Sequence, residues 1–197
     1  MPLGLIAYQL WVVFLTSWWL AAFWVSRDKT RAGRGELAAY NLAWGVGFGL
    51  LFSVWATVLG RAHLPAALTP LWTTPASLAA ILLAAQLGAF AFAWWARVHM
   101  GRLWSGAIVV RDDHRVVDTG PFSLVRHPIY SGFILASWPL ALIVPAPTAL
   151  AGAAWLTGVM IVKSRAEERF LRQALGAEAY DAYAARTPQL VPIVGWR

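Results

Sequence analysis

Residues 128–162 read PIYSGFILASWPLALIVPAPTALAGAAWLTGVMIV, thirty-five positions without a charged side chain. Pro145-Ala146-Pro147 interrupts the run. Proline lacks the N–H and its ring clashes with the preceding turn, so it cannot continue a helix. The stretch predicts a tight hairpin of two helices, about 128–144 and 148–162. At about 1.5 Å per residue, each barely crosses a hydrocarbon core of about 30 Å. The charged stretch from Lys163 onward continues the second as a helix, and Gly176 can close it.

Three more charge-free runs precede the hairpin: Leu5–Val25, Leu37–Leu59 and Pro75–Ala96, each 21 to 23 residues long. About 20 apolar residues span a bilayer, so each predicts a transmembrane helix. The first is not a cleaved signal peptide, because no basic residue precedes it and its apolar run is too long for a signal h-region. Of the 197 residues, 59% are hydrophobic and 13% charged, with a mean hydropathy of +0.58. A soluble domain carries about 25% charged residues, so this chain lacks the polar surface a soluble globule needs. With no cysteine there is no disulfide, thiolate nucleophile, iron–sulfur cluster or cysteine zinc site.

The net charge is +7. The predicted spans place 15 of the 16 basic residues, all but Arg61, on one side, together with all nine acids. The positive-inside rule makes that side cytoplasmic. The expected fold is thus an all-α integral membrane protein of five transmembrane helices in a single domain, residues 1–197. Its N-terminus lies outside, and its C-terminus lies inside as a cytoplasmic helical extension. The basic surplus needs no nucleic-acid partner, since topology and anionic lipid account for it. Trp11, Trp18, Trp19, Trp24, Trp94, Trp95 and Trp104 gather toward span ends, which predicts an interfacial aromatic belt.

Two cytoplasmic regions carry candidate chemistry. In the first, Ile108–Val110 and Val116–Val117 flank a polar turn and suggest a short hairpin. Gly120-Pro121-Phe122 then leads to Arg126-His127-Pro128-Ile129-Tyr130-Ser131-Gly132. Pro128 suits the first turn of a helix, so Arg126 and His127 sit at its mouth, where the dipole is already positive. Cations there call for an anion, and Tyr130 lies one turn further in. The alternative is that Arg126 snorkels to lipid phosphate and His127 only caps. In the second region, Ala166, Phe170, Leu171, Ala174 and Leu175 make one apolar helical face. Glu167 falls near its centre and needs donors there. Glu168 falls at its edge, four residues before Arg172, which suggests a surface ion pair. Tyr180, Tyr183, Arg186 and Pro188 follow and alone mean little. The four histidines show no close pairing, so no metal site is expected, and no strand precedes a GxGxxG. Gly45, Gly47 and Gly49 read as close helix packing.

Arg126-His127-Pro128-x-Tyr130-x-Gly132, with Gly120-Pro121-Phe122 before it and Arg165-Ala166-Glu167-Glu168 after the hairpin, resembles the isoprenylcysteine carboxyl methyltransferase family of membrane methyltransferases. The resemblance runs from about His99 to Pro192 and makes residues 97–197 a cofactor-binding region below three N-terminal spans, 1–96. It implies a site for S-adenosyl-L-methionine (SAM) open to the cytosol, with a lipid-side entrance for an amphiphilic or prenylated carboxylate acceptor. It implies that His127, Tyr130, Glu167, Glu168, Gly120 and Pro121 hold the cofactor. Arg126, Arg186 and Glu167 would then serve the reaction. The composition looks bacterial, which implies an inner-membrane location and leaves a phospholipid amine or a small thiol as other acceptors. A sterol-reductase-like NADPH enzyme is the competing enzyme, but its motif has Asn at Ile129 and an acid at Phe133. A structural membrane protein is the non-enzyme reading.

Overall fold

The computed structural model describes residues 2–22, 34–53, 55, 65–101 and 117–192. Among these residues there are six α-helices, two short 3-10 turns and no strand. The helices are α1 (Pro2–Ala22), α2 (Arg34–Phe52), α3 (Ala76–Met100), α4 (Pro128–Ile143), α5 (Pro147–Leu175) and α6 (Ala177–Arg186). The 3-10 turns are Ala66–Leu68 and Gly120–Ser123. The hairpin expected around the polar turn falls largely on residues 102–116, outside the described residues, as do Trp24 and Trp104.

Local sequence accounts for the element ends. Pro128 and Pro147 open α4 and α5 at first-turn positions, and Val144 closes α4. Gly176, at φ +91°, closes α5. That backbone region strains any residue with a Cβ. The 29 residues of α5 extend about 43 Å. This exceeds an apolar layer of about 30 Å, so the apolar run and its charged extension form one rod.

Cross-helix contacts fix the helix directions. At one end, the Arg97 guanidinium of α3 donates to Ala21 O of α1 at 3.2 Å, and Arg126 of the α4 mouth meets Glu168 of α5. At the other end, Leu71 N donates to Pro145 O at 2.9 Å, Thr74 Oγ1 to Leu142 O, and Ser53 Oγ to Thr148 Oγ1. So α1, α3 and α5 run toward the charged end, and α2 and α4 run away from it. Among the described residues, two helices, over Leu3–Ala21 and Ala76–Met100, are long and apolar enough to cross a membrane. The apolar parts of α2 and α4, Ala38–Phe52 and Pro128–Ile143, are shorter.

Small residues let the rods close up. A Cβ on Gly132 of α4 would lie 2.7 Å from Ala93 Cβ of α3, and Gly152 of α5 rests directly on the Leu51 backbone of α2. Of the three glycines expected to pack within α2, only Gly47 meets a neighbour among the described residues, Leu156. The core between the helices is aromatic. Phe14 stacks on Phe90 at 4.2 Å, and Trp11 meets Phe90 edge-on at 4.9 Å. Trp11 is fully buried, which corrects the aromatic-belt expectation at that position. Its ring meets Phe14, Phe48, Phe52 and Phe90, and no interface offers as much contact. Trp19 and Trp95 are exposed.

Candidate functional site

The site forms where the mouth of α4 meets the charged extension of α5. His127 is the residue before α4, and its ring lies almost parallel to that of Tyr130, 5.4 Å away. From α5, Glu167 and Glu168 approach this pair of rings. His127 Nε2 lies 3.1 Å from Glu168 Oε1, and His127 Nδ1 lies 3.8 Å from Glu167 Oε2. The Tyr130 hydroxyl donates to Glu167 Oε2 at 2.7 Å. One imidazole therefore stands between two consecutive carboxylates, and both of Glu167's contacts with α4 fall on a single oxygen.

Glu168 is the more firmly held. Arg126 Nε donates to its Oε1 at 2.7 Å, so Arg126 and His127 converge on the same atom. Burial would raise the Glu168 pKa. The hydrogen bonds from His127 and Arg126, with their charge, outweigh it and hold the carboxyl down at about 2. An ionised carboxylate only accepts, so the His127 Nε2–H is the donor. The helix mouth does have its anion, and the protein supplies it. This also corrects the expected Glu168–Arg172 pair. Arg172 instead grips Asp181 of α6 with two donors, at 2.9 and 2.7 Å, across the elbow at Gly176.

The C-terminal strap completes the mouth. Arg126 N donates to Pro188 O at 2.8 Å, and His127 N to Gln189 O at 3.1 Å. The Arg126 guanidinium also donates to Ala184 O at 3.1 Å and to Thr187 O. These carbonyls close α6, where a cation complements the dipole. Tyr183 anchors α6 through a 2.6 Å hydrogen bond from its hydroxyl to Phe122 O. Burial pushes the phenol pKa of Tyr180 and Tyr183 up.

The structure thus gathers Arg126, His127, Tyr130, Glu167 and Glu168. It sets the other expected residues beside this cluster. Arg186 is exposed and pairs with Asp118. Gly120, at φ +58°, sits so close to the His99 ring that a Cβ would lie 2.8 Å from it, and Pro121 is buried in the same turn. One residue that sequence reasoning counted only as a charge is Lys163. Its ammonium lies 5.5 Å from the Tyr130 ring centre, 5.8 Å from Trp44 and 6.0 Å from Tyr40. The available signal was its spacing, four residues before Glu167, and the same spacing between Tyr40 and Trp44.

A family model described as "Isoprenylcysteine carboxyl methyltransferase (ICMT) family" matches residues 78–173. Protein-S-isoprenylcysteine O-methyltransferase B of Arabidopsis thaliana is 33% identical over 97 residues, which are 48% of this chain and 49% of that protein. The cobalt-zinc-cadmium resistance protein CzcN of Cupriavidus metallidurans is 36% identical over 99 residues, 47% of this chain and 43% of that protein. The chain spans about half the length of these curated relatives or less. The family match starts earlier than the motif resemblance, within α3, and ends at Gln173, before α6. All five clustered residues and Lys163 lie inside it.

Proposed function

We propose that this chain, whose residues 78–173 match the isoprenylcysteine carboxyl methyltransferase family, transfers a methyl group from SAM to the carboxylate of a membrane-associated, lipidic or prenylated acceptor. The observation that carries the reading is the double-carboxylate cluster on His127 and Tyr130 within the matched segment. The five-span arrangement, with the cluster at the cytoplasmic face of a bacterial inner membrane, belongs to the same proposal.

The donor set fits SAM. Its ribose diol and its ammonium need acceptors, and the Glu167 side chain, 26% exposed, offers a carboxylate only partly occupied by Tyr130. Its sulfonium is favoured by acids and ring faces, which Glu167, His127 and Tyr130 supply. When bound, SAM supplies an electrophilic methyl group on a cationic sulfur. An acceptor carboxylate is already ionised at neutral pH and needs no general base. In such a transfer its oxygen would take the methyl group as the C–S bond breaks, with the electron pair left on sulfur and no proton to move. The protein's work is alignment and exclusion of water. Glu167 and the stacked His127–Tyr130 rings hold the donor. Glu168 and Arg126 lock His127 in place, which makes them positioning residues.

The test uses the full chain in nanodiscs. Binding of S-adenosylhomocysteine is read as a thermal shift, and labelled SAM is offered with prenylcysteine analogues and host lipids. Glu167→Ala and His127→Ala are expected to abolish the cofactor-dependent shift, and the labelled product is expected to be base-labile, as an ester is. Tight NADPH binding without binding of the homocysteine analogue would overturn the reading in favour of a reductase.

A further inference from the structure

We propose that Lys163 receives the anionic head of the methyl acceptor and selects carboxylate-bearing amphiphiles over uncharged ones of the same shape. The inference rests on the carboxyl-acceptor reading above and deepens it by naming the residue that sets the acceptor's class.

Lys163 is the first charged residue after the thirty-five-residue apolar run. It lies one turn of α5, about 6 Å of rise, on the apolar side of Glu167. The three rings around it come from two helices: Tyr40 and Trp44 from α2, and Tyr130 from α4. Trp44 is itself braced against Phe133 of α4 at 5.2 Å. Ring faces attract a cation electrostatically where water is scarce, so the cage holds the ammonium at the junction of α2, α4 and α5. Tyr130 belongs to both halves of the arrangement: its ring faces Lys163 and its hydroxyl bonds Glu167.

The order of charge matches the chemistry. A cationic donor suits Glu167, and an anionic acceptor suits Lys163, which Glu167 itself attracts from one turn away. Arg126 and Arg186, which the resemblance assigns to the reaction, have other partners in the structure. Arg126 joins Glu168 to the α6 carbonyls, and Arg186 lies on the exposed surface with Asp118.

The test measures binding without any cofactor. The full chain, in nanodiscs of zwitterionic lipid, is titrated with N-acetyl-S-farnesylcysteine and with its methyl ester, read by tryptophan fluorescence. Wild type is expected to bind the acid about tenfold more tightly than the ester, the gain of one charge-assisted hydrogen bond. Lys163→Gln is expected to bring that ratio to about one with ester affinity unchanged, and Lys163→Arg to keep the preference. A wild-type ratio near one, a preserved ratio in Lys163→Gln, or parallel loss of acid and ester would each overturn the proposal. So would loss of the acid preference when phosphatidylglycerol is added, which would make Lys163 a lipid-headgroup contact. Failure of S-adenosylhomocysteine to bind would instead sink the methyltransferase reading, and it leaves this ratio measurable.

Discussion

Glu168→Ala tests whether the second carboxylate is a fastener and the first a ligand group. Glu168 Oε1 receives Arg126 Nε at 2.7 Å and His127 Nε2 at 3.1 Å, with the three side chains 18%, 13% and 7% exposed. A hydrogen bond to a charged group is worth about 1.5–3 kcal/mol. Residual solvent favours the low end, so two such bonds are worth about 3 kcal/mol. Arg126 keeps its bonds to Ala184 O and Thr187 O in the variant, which prevents a larger loss. For a chain of this size about 1 kcal/mol moves Tm by about 2–4 °C, so the expected drop is about 6–12 °C in a thermal melt of the nanodisc-embedded protein. The pH dependence gives a second readout. The Glu168 carboxyl sits at about 2 in the fold against an ordinary 4.5. Between those values the unfolded chain binds more protons than the folded one, so stability is present above about 4.5 and drains away as pH falls toward about 2. The variant should show a shallower loss across that window. A Tm within about 2 °C of wild type, or an unchanged slope with pH, would refute the reasoning.

Tyr130→Phe removes the 2.7 Å bond to Glu167. S-adenosylhomocysteine affinity should fall about 3- to 10-fold by calorimetry, the worth of one hydrogen bond, and Tm should fall by about 3–6 °C. Gly132→Val drives a side chain toward Ala93, already 2.7 Å from an ideal Cβ. Overpacking of this kind costs about 1–3 kcal/mol, to be seen as a lower denaturation midpoint.

The elements were legible where a local rule decides them. Pro145 and Pro147 cut the hairpin, Pro128 opened α4, and Gly176 closed α5, because each acts through its own backbone. The candidate site was legible in part. His127, Tyr130 and Glu167 stood out as groups that needed partners, and they found one another. Choices between partners were not legible. Arg172 is the near neighbour of Glu168 along the helix, yet Arg126, 42 residues away, takes it. Sequence spacing measures only the helical neighbour, whereas the docking of α4 on α5 decides the winner. Trp11 was misread for a similar reason. Its indole is suited to an interface, but five surrounding aromatic rings offer it more contact.

The demand for an anion at the α4 mouth illustrates how a correct local argument leads to a different global answer. Two cations at a helix N-terminus do need negative charge, and the sequence contains two adjacent acids to provide it. Consecutive positions on a helix point about 100° apart, so the two acids cannot both serve Arg126. Glu168 turns to Arg126 and His127 Nε2. Glu167 is left facing His127 Nδ1, Tyr130 and the turn below it that carries Lys163. Committing one carboxylate to the fold holds His127 still between the two acids, while the second carboxylate accepts the tyrosine hydroxyl. On the reading proposed above, a pair of acids at this spacing builds a rigid site with one member and leaves the other for a ligand. A single acid would have to choose between the two tasks.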